Sequence, residues 1–126
     1  RVEERNSEKQ SRKPSVKLSL RITRRAGADI VSLHEYISAD ASSSRADMII
    51  TGIFDLCETL VDFLEQGHYP PELSGHQRTD LREIHFKLYR ILYRVQASRI
   101  DVLAVFDGRR DVRSLIEERM LRNYND

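Results

Sequence analysis

Cysteine is almost missing from this chain. Cys57 stands alone among 126 residues, so no internal disulfide can form, and a reducing compartment, the cytoplasm, is the expected setting. It falls in an apolar helical stripe, where simple packing accounts for it. Glycine and proline are scarce, five and three, and no glycine cluster builds a phosphate-binding loop or a nucleophile elbow. Long apolar runs are lacking too: nothing approaches the ~18 residues of a membrane span, and no apolar segment follows the charged N-terminus as in a signal peptide. The four histidines, at positions 34, 68, 76 and 85, have no zinc-type spacing. His68 and His76 share a loop without forming a ligand motif, and His34 has no second ligand suitably placed. Neither a metal nor a cofactor is expected, and an ordinary metalloenzyme, nucleotide hydrolase or membrane protein does not fit.

What is present is a 40% hydrophobic chain, enough to bury one core without staples. The net charge of +1 conceals segregation along the sequence. Residues 1–25 hold nine basic against three acidic side chains, residues 26–66 one against eight, and residues 82–113 eight against four. An acidic helical block is most simply a solvated face. The C-terminal basic block differs, because its charges lie on strands and beside a glycine-containing turn.

Residues 1–16 have two valines as their only apolar side chains and cannot build a core, so a charged N-terminal extension is expected there. Residues 17–24 alternate as a half-buried strand, with Leu18, Leu20 and Ile22 on one face. The period then changes, and Ile30, Leu33 and Ile37 mark a helix from Ala26, or from near Asp29, to about Ala41. The serines at 42–44 supply a break and an N-cap. A second helix carries Ala46, Ile49, Ile53, Cys57, Leu60 and Leu64 on one stripe and is expected to run to Glu65, where Gly67 stops it. The short connection makes an antiparallel helical hairpin. A proline-bearing loop follows to Asp80, then strands near 81–86, 88–95 and 99–106. The last of these is apolar on both faces and therefore central. Asp111 caps a final helix through Ile116 and Met120, and residues 123–126 form a polar tail. The order β-α-α-β-β-β-α predicts an α+β domain over residues 17–122, a two-helix hairpin on a small, mainly antiparallel four-stranded sheet sharing one core.

The arginines are the chemically informative feature. Strand geometry puts Leu88, Arg90, Leu92 and Arg94 on one face and Tyr89, Ile91, Tyr93 and Val95 on the other. A guanidinium stays charged, so either an internal carboxylate answers these arginines or their face is open to an acidic or phosphate-rich partner. Arg82, Lys87, Tyr89, Arg94, Arg109 and Arg113 are the candidate contacts for such a partner, since guanidinium grips phosphate and flat rings stack on bases.

The stretch DLREIHFKLYRILYRVQASRIDVLAVFDGRRD, preceded by Pro71-Glu72-Leu73 and a two-helix unit, resembles the RelE/ParE superfamily of bacterial type II toxin–antitoxin toxins over about residues 17–121. Its most specific parts are Tyr89-Arg90-Ile91-Leu92-Tyr93-Arg94-Val95 and Gly108-Arg109-Arg110-Asp111. The resemblance implies a cognate antitoxin, a toxin–antitoxin hetero-oligomer and one of two activities. The RelE-like branch cleaves mRNA on the ribosome without a metal, and Arg90 and Arg110 match its phosphate-binding positions. The lysines of that branch are matched here by Glu83 and His85, which would have to serve as base and acid, and its helix tyrosine falls at Ile116, with Tyr124 further on. The ParE-like branch poisons DNA gyrase, is not known for nuclease chemistry, and retains the hairpin, strand and turn without the nuclease residues. That is the pattern here, so gyrase poisoning is favoured. Ribosomal mRNA cleavage is the alternative, and a non-toxic partner-binding domain, with the arginines paired to the chain's own acids, is the second.

Overall fold

A computed structural model describes residues 18–75 and 79–120. The expected extension at 1–16, His76, Tyr124 and the tail at 123–126 lie outside the described residues. The elements are β1 (Ser19–Ile22), α1 (Arg24–Asp40), α2 (Ser43–Thr59), a single 3-10 turn (Pro71–Leu73), β2 (Leu81–Phe86), β3 (Tyr89–Gln96), β4 (Arg99–Asp107) and α3 (Val112–Met120). The sheet order is β1-β4-β3-β2, with β1 parallel to β4 and the other pairs antiparallel. The α+β architecture is as the sequence predicts, and the apolar strand β4 is central.

Side-chain oxygens start each helix. Thr23 caps α1 by accepting from the Ala26 amide at 3.2 Å, which moves the start two residues upstream of the expected Ala26. Its hydroxyl also donates to the Val102 carbonyl, tying the helix entry to β4. Ser42 accepts from the Arg45 amide to open α2, and Asp111 accepts from the Ser114 amide to open α3, satisfying donors that helix geometry leaves unpaired.

Helix α2 ends at Thr59, short of Glu65. The Thr59 hydroxyl donates to the Leu56 carbonyl, and the next amides pair three residues back, Leu60 to Cys57, Val61 to Glu58 and Asp62 to Thr59. The chain tightens into turns, yet Leu60 stays fully buried and Leu64 packs on the core. The apolar period therefore outlasts the helix. Gly67 has a different task from stopping it. A β-carbon there would lie 2.5 Å from the Glu83 carbonyl oxygen and 2.6 Å from the Tyr93 hydroxyl, and the Gly67 amide donates to that same hydroxyl. Only glycine lets the loop approach β2 and β3 so closely.

The sheet buries both faces. Ile84, Tyr89, Ile91, Tyr93, Ile100, Val102 and Val105 pack under the helical hairpin with Ala26, Ile30, Ile37, Ala46, Ile49, Ile53 and Cys57. On the opposite face Leu81, Leu92, Leu103, Ala104 and Phe106 form a second core with Leu73, Val112 and Ile116. A bulge at Leu92/Tyr93 helps to make it: Ala104 pairs with Leu92 and Val102 with Tyr93, leaving Leu103 without an opposite residue. The expectation of one shared core is thus corrected to two, because α3 and the Pro71–Leu73 turn cover part of the face that carries the arginines. His34 links the two hairpin helices, its Nε2 lying 2.8 Å from Asp47 Oδ1. Burial pushes the Cys57 thiol up to about 12, so it stays protonated and serves packing.

Candidate functional site

The register of β2 on β3 sets Glu83 opposite Leu92 and His85 opposite Arg90, on the face of the second core. Arg90 lies half-buried between two carboxylates. Its Nε donates to Glu83 Oε1 at 2.7 Å, and Nη1 and Nη2 reach the two oxygens of Glu72 at 2.8 and 2.7 Å. This bidentate grip is the strong form of an arginine pair. Its hydrogen bonds hold the Glu72 carboxyl below the usual range. The Glu83 side chain is only 2% exposed, and its second oxygen faces two imidazoles, His68 Nε2 at 2.8 Å and His85 Nε2 at 3.4 Å.

A second cluster centres on Asp101, which is fully buried in β4. Arg94 Nη2 donates to Oδ2 at 2.7 Å, Arg21 Nε to Oδ1 at 3.1 Å, and Arg99 Nε lies 2.8 Å from Oδ1. Burial by itself would raise this carboxyl, but the bonds from Arg94, Arg21 and Arg99 hold it below its ordinary range. The face is therefore answered from inside at Arg90 and at Arg94, and the image of an open basic sheet is corrected. Both acids sit at strand positions of the same parity as the arginines they meet.

Other side chains take structural places as well. Arg82 Nη1 donates to the Gly67 carbonyl, and its guanidinium stacks 4.6 Å over the Tyr69 ring. Arg113 reaches the Glu72 carbonyl from α3. Tyr89 is buried under the hairpin, so its ring offers no face for stacking on a base. Lys87 is exposed and opens the β2–β3 turn with φ 55. Arg109 is mostly exposed and pairs with Asp107 at 2.6 Å.

The outward-facing remainder lies at the C-terminal end of β4. A groove of about 520 Å³ runs between α1 and β4, lined by Asp29, Ser32, Leu33, Tyr36, Phe106 and Arg110 among others. Asp29 is committed to the fold: Oδ2 accepts from the Val105 amide and Oδ1 from Arg119 of α3. Tyr36 is 61% exposed. Arg110 is exposed, and among the described residues no hydrogen bond or ion pair engages its guanidinium. Leu33, Tyr36, Val105 and Phe106 give the groove an apolar wall, and Arg110 adds a cation. After the Arg109 hydrogen bond, the Arg110 charge also helps to hold the neighbouring Asp107 carboxyl down. Such a surface suits a partner segment with apolar anchors and acidic groups.

The family described as "ParE toxin of type II toxin-antitoxin system, parDE" matches residues 20–112. The chain belongs to the ParE toxin family. A solved structure described as the chromosomal ParDE TA system from P. aeruginosa superposes with a TM-score of 0.61 at 19% identity, over 72% of this chain and 96% of that one; it shares the fold. A search of curated proteins finds no significant match. The match spans the hairpin, the sheet from Leu20 of β1 onward, and the Gly108-Arg109-Arg110-Asp111 turn. Within this ParE-family fold the residues matching nuclease positions are split in fate: Arg90 is bound by two acids, Arg110 faces the α1–β4 groove, and Glu83 and His85 adjoin each other on β2. Ile116, where the nuclease branch has a tyrosine, is fully buried in the second core. Sequence reasoning missed His68 and Glu72. Both come from the loop before β2, and no spacing rule connects them to Arg90; the available signal was a glutamate directly after two prolines.

Proposed function

We propose that this ParE-family toxin arrests growth by poisoning DNA gyrase in the cytoplasm and is neutralised by a cognate antitoxin in a hetero-oligomer. The observation that carries the choice of target is Arg90. A nuclease of the RelE type needs that guanidinium for the scissile phosphate, where basic groups must converge on developing negative charge. Here it is spent on Glu72 and Glu83, and a phosphate would have to displace a bidentate carboxylate and approach a second, buried one. The antitoxin contact is assigned to the α1–β4 groove, where an apolar segment with an acid for Arg110 would fit.

Ribosome-dependent mRNA cleavage is the second reading, favoured by one observation: His68, Glu83 and His85 converge at β2, which supplies groups able to move protons. Two assays on purified protein separate the readings. Inhibition of gyrase supercoiling, or trapping of cleaved DNA, with intact mRNA on ribosomes is the expected result. Codon-specific cuts in ribosome-bound mRNA with unaffected gyrase would overturn it. Expression without antitoxin should stop growth, and normal growth with folded protein present would leave a non-toxic binding domain.

A further inference from the structure

We propose that His68, Glu83 and His85 form a binding site for one first-row divalent cation of the zinc class. One ligand atom from each of the three lies within 4.8 Å of the others. Bonds of ~2.1 Å in a tetrahedral site place neighbouring donors about 3.4 Å apart. The observed separations to Glu83 Oε2, 2.8 Å from His68 Nε2 and 3.4 Å from His85 Nε2, lie at or below that spacing, and the two histidines present nitrogens within 4.8 Å of each other, so modest side-chain shifts admit an ion. Two imidazoles and one carboxylate are a borderline donor set that suits zinc over calcium or magnesium, which prefer oxygen.

The frame is rigid. Glu83 and His85 stand two residues apart on one face of β2. His68 is pinned beside them by a reciprocal backbone pair, its amide donating to the Glu83 carbonyl at 3.0 Å and the Glu83 amide to its carbonyl at 2.8 Å. Arg90 holds Glu83 Oε1, which fixes the carboxylate and leaves Oε2 turned toward the histidines; such outer hydrogen bonds orient metal ligands. Charge favours a cation as well. Among the described residues Arg90 alone pairs with both the Glu72 and Glu83 carboxylates; the exposed Arg113 reaches the Glu72 carbonyl, and its charge acts on the Glu72 carboxyl. The imidazoles are half exposed beside a cavity of about 300 Å³, so solvent reaches a fourth coordination position. Two imidazole N–H groups donating to one oxygen would satisfy the same geometry without an ion, and a binding measurement separates the two accounts.

Cobalt(II) titration of the full chain, followed by its visible absorption and by zinc competition, should give one ion per chain. His68→Gln and His85→Gln should each weaken the affinity at least tenfold, as loss of even an outer-shell partner does by roughly 10–100-fold, while His34→Gln and His76→Gln leave it unchanged. Zinc should also shift the imidazole NMR signals of His68 and His85 in the unaltered protein, a readout that does not depend on any variant folding. Absence of stoichiometric binding, equal affinity in the His68 and His85 variants, or shifts confined to His34 or His76 would overturn the proposal. Toxicity plays no part in the test, so it stands apart from the choice of target.

Discussion

Arg90 and Asp101 show how much a single charged side chain commits the fold. Removing Arg90 leaves Glu83 buried with its arginine partner gone, and breaking a buried pair on one side costs roughly 3–5 kcal/mol. Arg90→Ala should therefore lower the unfolding free energy by that order, read from denaturant titration, and a change under about 0.5 kcal/mol, the ordinary surface range, would show that the Glu72–Arg90–Glu83 chain is ornamental. Loss of toxicity in this variant says nothing about nuclease chemistry unless the protein is shown to be folded. Asp101 makes a pH prediction. Its carboxyl titrates below the ordinary value in the fold, whereas in the unfolded chain it titrates near about 4. Its ion-pair stabilisation is thus fully present above about pH 4 and disappears as pH falls through the depressed folded value. Asp101→Asn should cost several kcal/mol at pH 7, roughly 3–5, and the unfolding free energies of variant and parent should draw together in acid. A constant difference from pH 7 to pH 2 would contradict the linkage.

At the level of elements, helix α2 approaches the end of β2 through a glycine. Gly52 of α2 faces Phe86 at the end of β2, and a β-carbon at Gly52 would lie 2.1 Å from the Phe86 ring. Gly52→Ala should destabilise by about 1–3 kcal/mol through overpacking, although alanine is the better helix former. The cost should shrink in a Phe86→Leu background, because the two positions share one contact; additive losses in the double variant would place the strain elsewhere. The elements themselves were legible because their signals are local. Alternation marks β1, the 3.6-residue period marks α1 and α2, and serine, threonine and aspartate mark helix starts. The end of α2 was not legible, since Leu60 and Leu64 keep the helical period while the backbone pairs three residues back. Gly67 misled for the opposite reason: its need is set by Glu83 and Tyr93 across the fold, which no neighbour in sequence announces.

For the whole molecule, the sequence posed the right alternative for its arginines, internal acids or an outside partner, but could not choose. The choice depends on contacts spanning many residues: Glu72 meets Arg90 at a separation of 18 and Asp101 meets Arg21 at 80. Once those pairs are drawn, the arginine face is no longer an open basic sheet, and the proposed partner contact rests on the α1–β4 groove that Arg110 helps to line. Arg109 is a useful contrast, adjacent in sequence but already bound to Asp107. Rim charges act chiefly on association rate and its salt dependence. Arg110→Glu should leave unfolding within about 0.5 kcal/mol of the parent, as for an unengaged surface residue, while slowing association with the antitoxin and flattening the dependence of that rate on salt. Arg109→Ala, tested beside it, should slow association less, because the charge removed is already half spent on its own aspartate. Rates and salt slopes for Arg110→Glu equal to those of the parent would move the antitoxin contact off this groove and onto another exposed apolar surface, such as the one marked by Phe63 and Tyr69 before β2, both half or more exposed.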